Sequence, residues 1–122
     1  MHILNLTQHH ATPDQIAAGV VDLTAAERAR IADLLTFDEK PTPRSVRIRA
    51  KSLAQIAASA STLPYAMIGG APWLMGPLEE ALLALNISPL YAFSKRESVE
   101  TVAADGSVTK TNVFRHAGFV SA

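Results

Sequence analysis

The segment PYAMIGGAPWLMGPLEEALLALNISPLYAF, residues 64–93, decides the fold. It opens with a continuous apolar run, Tyr65 to Ile68, that ends at two glycines, which is typical of a buried parallel strand. Leucines then recur at helical spacing over residues 78–85, and Asn86 is a suitable cap, so a helix is predicted. Pro89 to Phe93 is again apolar and predicts a strand. A strand, a helix and a strand within about 30 residues form a βαβ unit.

The chain before this unit alternates between strand and helix patterns. His2–Leu6 contains β-compatible apolar residues and predicts the first strand. Two capping-box patterns predict a short helix from Thr12 to about Gly19 and an amphipathic helix from Thr24 to about Phe37. Two prolines break this second helix, and a long helix is predicted from Arg44 into the alanine-rich segment AQIAASAS.

The last part of the chain has the pattern of a β-hairpin. Val99 and Val102 lead into Asp105-Gly106, and Val108 to Phe114 leads out. Asp-Gly between β-rich segments is a strong hairpin pattern. The sequence therefore predicts a small α/β sandwich with three parallel strands and a C-terminal hairpin.

Length, charge and composition limit the classes of function. A chain of 122 residues is expected to form a single domain, residues 1–122. Its formal net charge is zero, which argues against wrapping long nucleic acid. The chain has no cysteine, which excludes disulfides and thiolate chemistry. With no signal-peptide pattern and no membrane-length apolar run, the sequence predicts a soluble cytoplasmic protein without membrane partners.

Three polar loops are predicted at the carboxyl ends of the parallel strands. They cover Thr7–Thr12, Gly69–Gly76 and Ser94–Glu97. Ligands of open α/β sheets bind at this edge, where neighbouring loops converge. We therefore expect the binding residues there.

The first loop offers Thr7, Gln8, His9 and His10, which can donate hydrogen bonds to an anion. Adjacent histidines in a loop are also compatible with simple exposure to solvent. Together with His116 they lack the HxxxH spacing of a zinc site, so no metal is predicted.

The second loop contains Gly69 and Gly70, which let the backbone approach a ligand before the next helix begins. Neither a Walker loop nor a dinucleotide fingerprint is present. The alternative is a plain tight turn. Trp73 is expected either to stack on a base or to fill the core.

The third loop carries Ser94, Lys95, Arg96 and Glu97. Arginine can hold a phosphate through two parallel hydrogen bonds, so these cations favour an anion site. Glu97 and Glu100 instead allow surface ion pairs of little energetic value, in which case the segment is a solvated strand end.

Several of these segments resemble the small stand-alone CRISPR-associated proteins related to the CARF domain. The segments are NLTQH, TPDQI, MIGG, YAFSKRESVE and DGSV. The resemblance implies a Rossmann-like three-layer sandwich with a parallel core sheet, a homodimer, and a pocket for a cyclic oligoadenylate, with cyclic tetra-adenylate as the expected ring. No cofactor is implied.

In the ring nucleases of that group, the ribose 2′-hydroxyl attacks the adjacent phosphate without a metal. The resemblance places His9 or His10 in proton transfer and Lys95 or Arg96 in phosphate stabilisation. The predicted ligand-binding residues are Thr7, Gln8, Gly69, Gly70, Trp73, Ser94 and Glu97.

Two other classes of function are compatible with the same residues. A binding module or sponge would use the same cations for a cyclic nucleotide without turnover. An interaction protein would instead pair the exposed edge of its hairpin with a partner.

Overall fold

The computed structural model describes residues 1–122, in which strands and helices alternate until the final hairpin. The strands are β1 (Ile3–Asn5), β2 (Val20–Val21), β3 (Tyr65–Met67), β4 (Ser88–Val102) and β5 (Val108–Ser121). The helices are α1 (Pro13–Ala17), α2 (Ala25–Leu35), α3 (Pro43–Ala60) and α4 (Pro72–Ala84).

All five strands form one sheet in the order β2-β1-β3-β4-β5. The first four of these are parallel, and β5 runs antiparallel to β4. The prediction of an α/β fold with a parallel core and a C-terminal hairpin is confirmed. The predicted number of parallel strands is corrected from three to four, because Val20 and Val21 pair with Ile3 and Leu4 as the edge strand β2.

Threonine capping boxes start three of the helices. Thr12, Thr24 and Thr42 each accept a hydrogen bond from the backbone N–H three residues on, and the side chain there bonds back to the threonine N–H. Such caps satisfy two otherwise unpaired donors at the helix start. None of the four helices combines the length and the hydropathy needed to cross a bilayer.

The side chains of the sheet alternate between two faces of unequal burial. Leu4, Leu6, Ala66 and Ile68 point toward α2, α3 and α4 and belong to a cluster of 16 buried residues. The opposite face carries a cluster of only 5 buried residues. The main core therefore lies between the sheet and these three helices.

The predicted loop Ser94–Glu97 is wrong. These residues belong to β4, in register with residues 113–116 of β5 after an irregularity between Ala92 and Ser94. The polar sequence suggested a loop because strands are recognised by one buried face, and here neither face is covered. We call the paired segments 94–102 and 108–116, with their connecting turn, the arm.

The arm contributes no buried residue to either cluster. We therefore expect the body to fold without it when residues 95–115 are replaced by Asn-Gly, which joins the register partners Ser94 and His116. Far-UV circular dichroism should keep the native helical signal, with one cooperative thermal transition. A non-cooperative transition would show that the arm is needed for the fold of the body.

Candidate functional site

A cavity of about 490 Å³ opens at the carboxyl edge of the parallel strands. We call it the strand-end cavity. Most of its wall comes from residues that follow β1 and β3, and from the part of β4 that lies just beyond its pairing with β3. The lining residues are Thr7, His9, His10, Thr12, Gln15, Met67, Ile68, Gly69, Tyr91 and Ala92. Polar groups thus lie on the side of the first loop, opposite a largely apolar wall.

Asn5 organises the first loop from inside the sheet. Its side chain is buried, and its amide donates to the His9 carbonyl oxygen at 2.8 Å and to Asp22 Oδ1 at 2.7 Å. Its Oδ1 accepts from the Thr7 N–H at 3.0 Å and the Thr7 hydroxyl at 2.7 Å. The amide therefore uses both of its donors and both of its acceptor sites. This network fixes the backbone from which His9 and His10 project.

Asp22 follows β2 and connects the network to His10. Its carboxylate accepts from the Ala11 N–H at 3.2 Å and lies 3.5 Å from His10 Nδ1. Burial alone would raise the pKa of Asp22, but hydrogen bonds from Asn5, Ala11 and His10 and the charge of Arg28 outweigh it and lower the pKa. Asp22 is therefore an anion at neutral pH.

The Asp22 contact also selects the tautomer of His10. A proton on Nδ1 is stabilised by the facing carboxylate, which leaves Nε2 of the neutral ring as an acceptor. The His10 side chain is 74% exposed, so a ligand in the cavity can reach it. This arrangement can take a proton from a hydroxyl group.

Tyr91 closes the cavity on the side of β4. Its hydroxyl donates to Glu79 Oε2 on α4 at 2.6 Å. Burial, then the hydrogen bond and the charge of Glu79, raise the pKa of Tyr91 to about 12. The phenol therefore stays neutral and serves as wall rather than as a proton acceptor.

Only part of the predicted site converges at this cavity. Thr7, His9, His10 and Gly69 line it. Gln8 and Gly70 belong to the same loops without lining it. Trp73 is 52% exposed, packs edge-on to Phe37 with ring centroids 5.5 Å apart, and lines a separate groove between α3 and α4.

The four predicted residues of the third loop lie on the arm instead. Because neighbouring residues of a strand point to opposite faces, Lys95 and Arg96 cannot act from one face. Glu97 forms an ion pair with Arg115 at 2.7 Å. Ser94 pairs with His116 in the ladder. No lysine or arginine lines the strand-end cavity of the single chain.

Sequence reasoning missed Asn5 and Asp22. The indication for Asp22 was a carboxylate directly after the apolar pair Val20-Val21, the pattern of a strand end. Asn5 stands inside an apolar run, where a polar residue must find partners if it is buried. Among the described residues, no group of three or more histidines and acidic side chains converges as a metal site.

Fold and site together define an α/β protein with a histidine-lined cavity at the carboxyl edge of a mixed sheet. The chain belongs to the uncharacterized protein MJ1673 family, whose profile matches residues 1–120. No curated protein and no solved structure matches the chain.

Replacing Asp22 tests the buried network. In Asp22→Ala the Asn5 amide loses an acceptor while buried, which should lower the free energy of unfolding by about 1–3 kcal/mol at pH 7 in urea titrations. Asp22→Asn can keep an acceptor oxygen without the charge, and should cost less.

The same variants predict a pH dependence. Because the folded-state pKa of Asp22 is lowered from 3.8, its charge stabilises the fold above that value, and the contribution is lost as pH falls through the lowered folded pKa. The gap in stability between wild type and Asp22→Asn should therefore shrink below about pH 4. A gap that widens there would contradict the assignment.

The two loop glycines should respond differently to alanine. Gly70 has φ +151°, so Gly70→Ala should destabilise the fold by about 1–3 kcal/mol. At Gly69 a Cβ would meet only the Thr7 methyl at 3.8 Å, an ordinary contact, so Gly69→Ala should fold normally. Thermal melts of both variants provide the comparison, and equal losses would contradict it.

Proposed function

We propose that the protein binds a cyclic oligoadenylate at the strand-end cavity and cleaves it as a metal-independent ring nuclease. The observation that carries this proposal is His10, held by Asp22 at the rim of a cavity where ligands of α/β sheets bind. Apolar walls beside polar groups suit a base attached to a ribose phosphate.

The proposed reaction is an internal transfer at phosphorus. His10 Nε2 accepts the proton of a ribose 2′-hydroxyl, whose oxygen forms a bond to the adjacent phosphorus. The bond from phosphorus to the 5′-oxygen breaks, that oxygen takes up a proton from water, and His10 returns its proton to the solvent. The products are linear fragments with 2′,3′-cyclic phosphate ends. The protein's contribution is in-line positioning and charge stabilisation.

The wider interpretation rests on the resemblance to CARF-related proteins. It describes residues 1–122 as one CARF-like domain with a Rossmann-like three-layer arrangement, acting in the cytoplasm as a homodimer in type III CRISPR signalling. The parallel core sheet and the position of the cavity support this proposal.

A binding module without turnover is the second candidate. The observation that favours it is the lack of lysine and arginine around the cavity of the single chain. Binding a base requires no cation, whereas the pentacovalent transition state of phosphoryl transfer concentrates negative charge that donors must stabilise.

The first test incubates the purified protein with cyclic tri-, tetra- and hexa-adenylate in EDTA and follows products by chromatography and mass spectrometry. We expect one ring to yield linear products with 2′,3′-cyclic phosphate ends. His10→Gln should slow cleavage about 10²–10⁴-fold, as expected for loss of a general base. His2→Gln is the matched control, since His2 is exposed and outside the cavity.

Uncleaved rings lead to a thermal-shift measurement on the same samples. Stabilisation by one ring would leave the binding module as the function of the cavity. No cleavage and no stabilisation by any ring would contradict both candidates.

A further inference from the structure

The arm extends far beyond the body. β3 ends at Met67, which is in register with Leu90, whereas β4 continues to Val102. At about 3.3 Å per residue the whole extension is about 40 Å long, of which the arm makes up about 30 Å. The only element with which β5 makes an extensive interface is β4. The arm is therefore a two-stranded ribbon without a third strand or helix against it.

Such a ribbon needs a covering surface. An isolated two-stranded hairpin is at best marginally stable in water. One face of the arm carries Arg96 and Phe114 at one end and Val102 and Val108 at the other, which share a face by register. The Ser98–Asn112 hydrogen bond and the Lys110–Glu100 ion pair lie between these two ends. We call this face the Phe114 face. Phe114 is 73% exposed and Val102 67%, so apolar surface is left open on this face.

The strand-end cavity lacks a basic side chain for the phosphates of its proposed ligand, and the arm carries one. A cyclic oligoadenylate has one negative charge per nucleotide, and no lysine or arginine lines the cavity. Arg96 makes no ion pair, and it lies directly opposite Phe114. It is about 13 Å along the strand from Ala92, the last cavity residue on β4, so its own cavity is out of reach.

The directions of the arm and the cavity bring the two together in a dimer. β4 projects past the carboxyl edge at which the cavity opens, so a second copy facing that edge lies alongside the arm. Twofold symmetry makes the contact reciprocal. The arm face is about 30 Å long and about 10 Å wide and offers roughly 300 Å², and each copy both gives and receives one arm. The total is then roughly 600 Å² per partner, against roughly 800 ± 200 Å² per partner for a standard interface.

We propose that the arm docks through its Phe114 face on a second copy of this chain and places Arg96 at the partner's strand-end cavity. Its catalytic consequence rests on the proposed function, because Arg96 would hold a phosphate of the ring cleaved there. Lys95 points to the opposite face, beside the Glu97–Arg115 ion pair, and is not the residue delivered.

A mixture of two inactive variants tests delivery between copies. Arg96→Ala keeps an intact cavity, and His10→Gln keeps an intact arm. Equal amounts that exchange subunits should recover about a quarter of the wild-type cleavage rate, because half of the dimers then hold one complete site of two. Lys51→Ala, which removes an exposed cation of α3, should cleave at the wild-type rate. A mixture no faster than its components would overturn the proposal.

Sedimentation tests the docking face without any ligand. Phe114→Glu should weaken dimerisation at least about 30-fold, as expected for an aromatic anchor of an interface. Thr111→Glu, on the opposite face of the arm, should leave the dimer intact. Both positions are exposed, so circular dichroism should show both variants folded. A monomeric wild-type protein, or equal effects of the two substitutions, would overturn the proposal.

Cross-linking keeps this inference separate from the proposed function. The chain has no cysteine, so His9→Cys on the cavity and Ser98→Cys on the arm can be introduced singly. Mixed and treated with a short bismaleimide, the two variants should form a mixed dimer far more than either does with Ser59→Cys at the end of α3. If no ring is cleaved but this dimer forms, the proposed function fails and the arm placement stands. Cross-linking at the Ser59 level would overturn the arm placement.

Discussion

The buried amide of Asn5 holds the carboxyl edge of the sheet together. An amide removed from water must find hydrogen-bond partners. The two donors and two acceptor sites of the Asn5 side chain are all used, by Thr7 and the His9 carbonyl oxygen in the first loop and by the carboxylate of Asp22. Because Thr7, His9 and Asp22 each depend on this side chain, the ends of β1 and β2 form one unit. The position of His10 is a consequence of that unit.

The parts of the fold predicted from sequence are those with local causes. The threonine capping boxes predicted the starts of α1 and α2, and the two glycines after Ile68 predicted the end of β3. β2 was missed because two residues are too short to show an alternating pattern, and its place depends on pairing with Ile3 and Leu4. Pairing partners across the chain leave no local trace in sequence.

The residues of the candidate site likewise fall into those that the sequence predicted and those whose place depends on strand pairing. Thr7, His9, His10 and Gly69 were predicted because loops after parallel strands converge, a rule that needs only the order of elements. Lys95 and Arg96 were misplaced because β4 does not end where its apolar residues end. Beyond Ala92 the strand is held by backbone hydrogen bonds to β5, which polar side chains do not disturb. The distance of Lys95 and Arg96 from the cavity is therefore a consequence of the long hairpin, which the sequence indicated only at Asp105-Gly106.

The separation of cations from the cavity has a physical consequence for assembly. A cavity lined by Arg96 in its own chain would bind anions as a monomer, whereas one that receives Arg96 from another copy gains that charge only on association. Arginine on an exposed ribbon pays little desolvation until it docks, and its attraction to phosphate strengthens once the docked surfaces exclude water. Ligand and partner then stabilise the same state, and each raises the apparent affinity of the other by the same factor. The arm, marginal by itself, would be most ordered when both are bound.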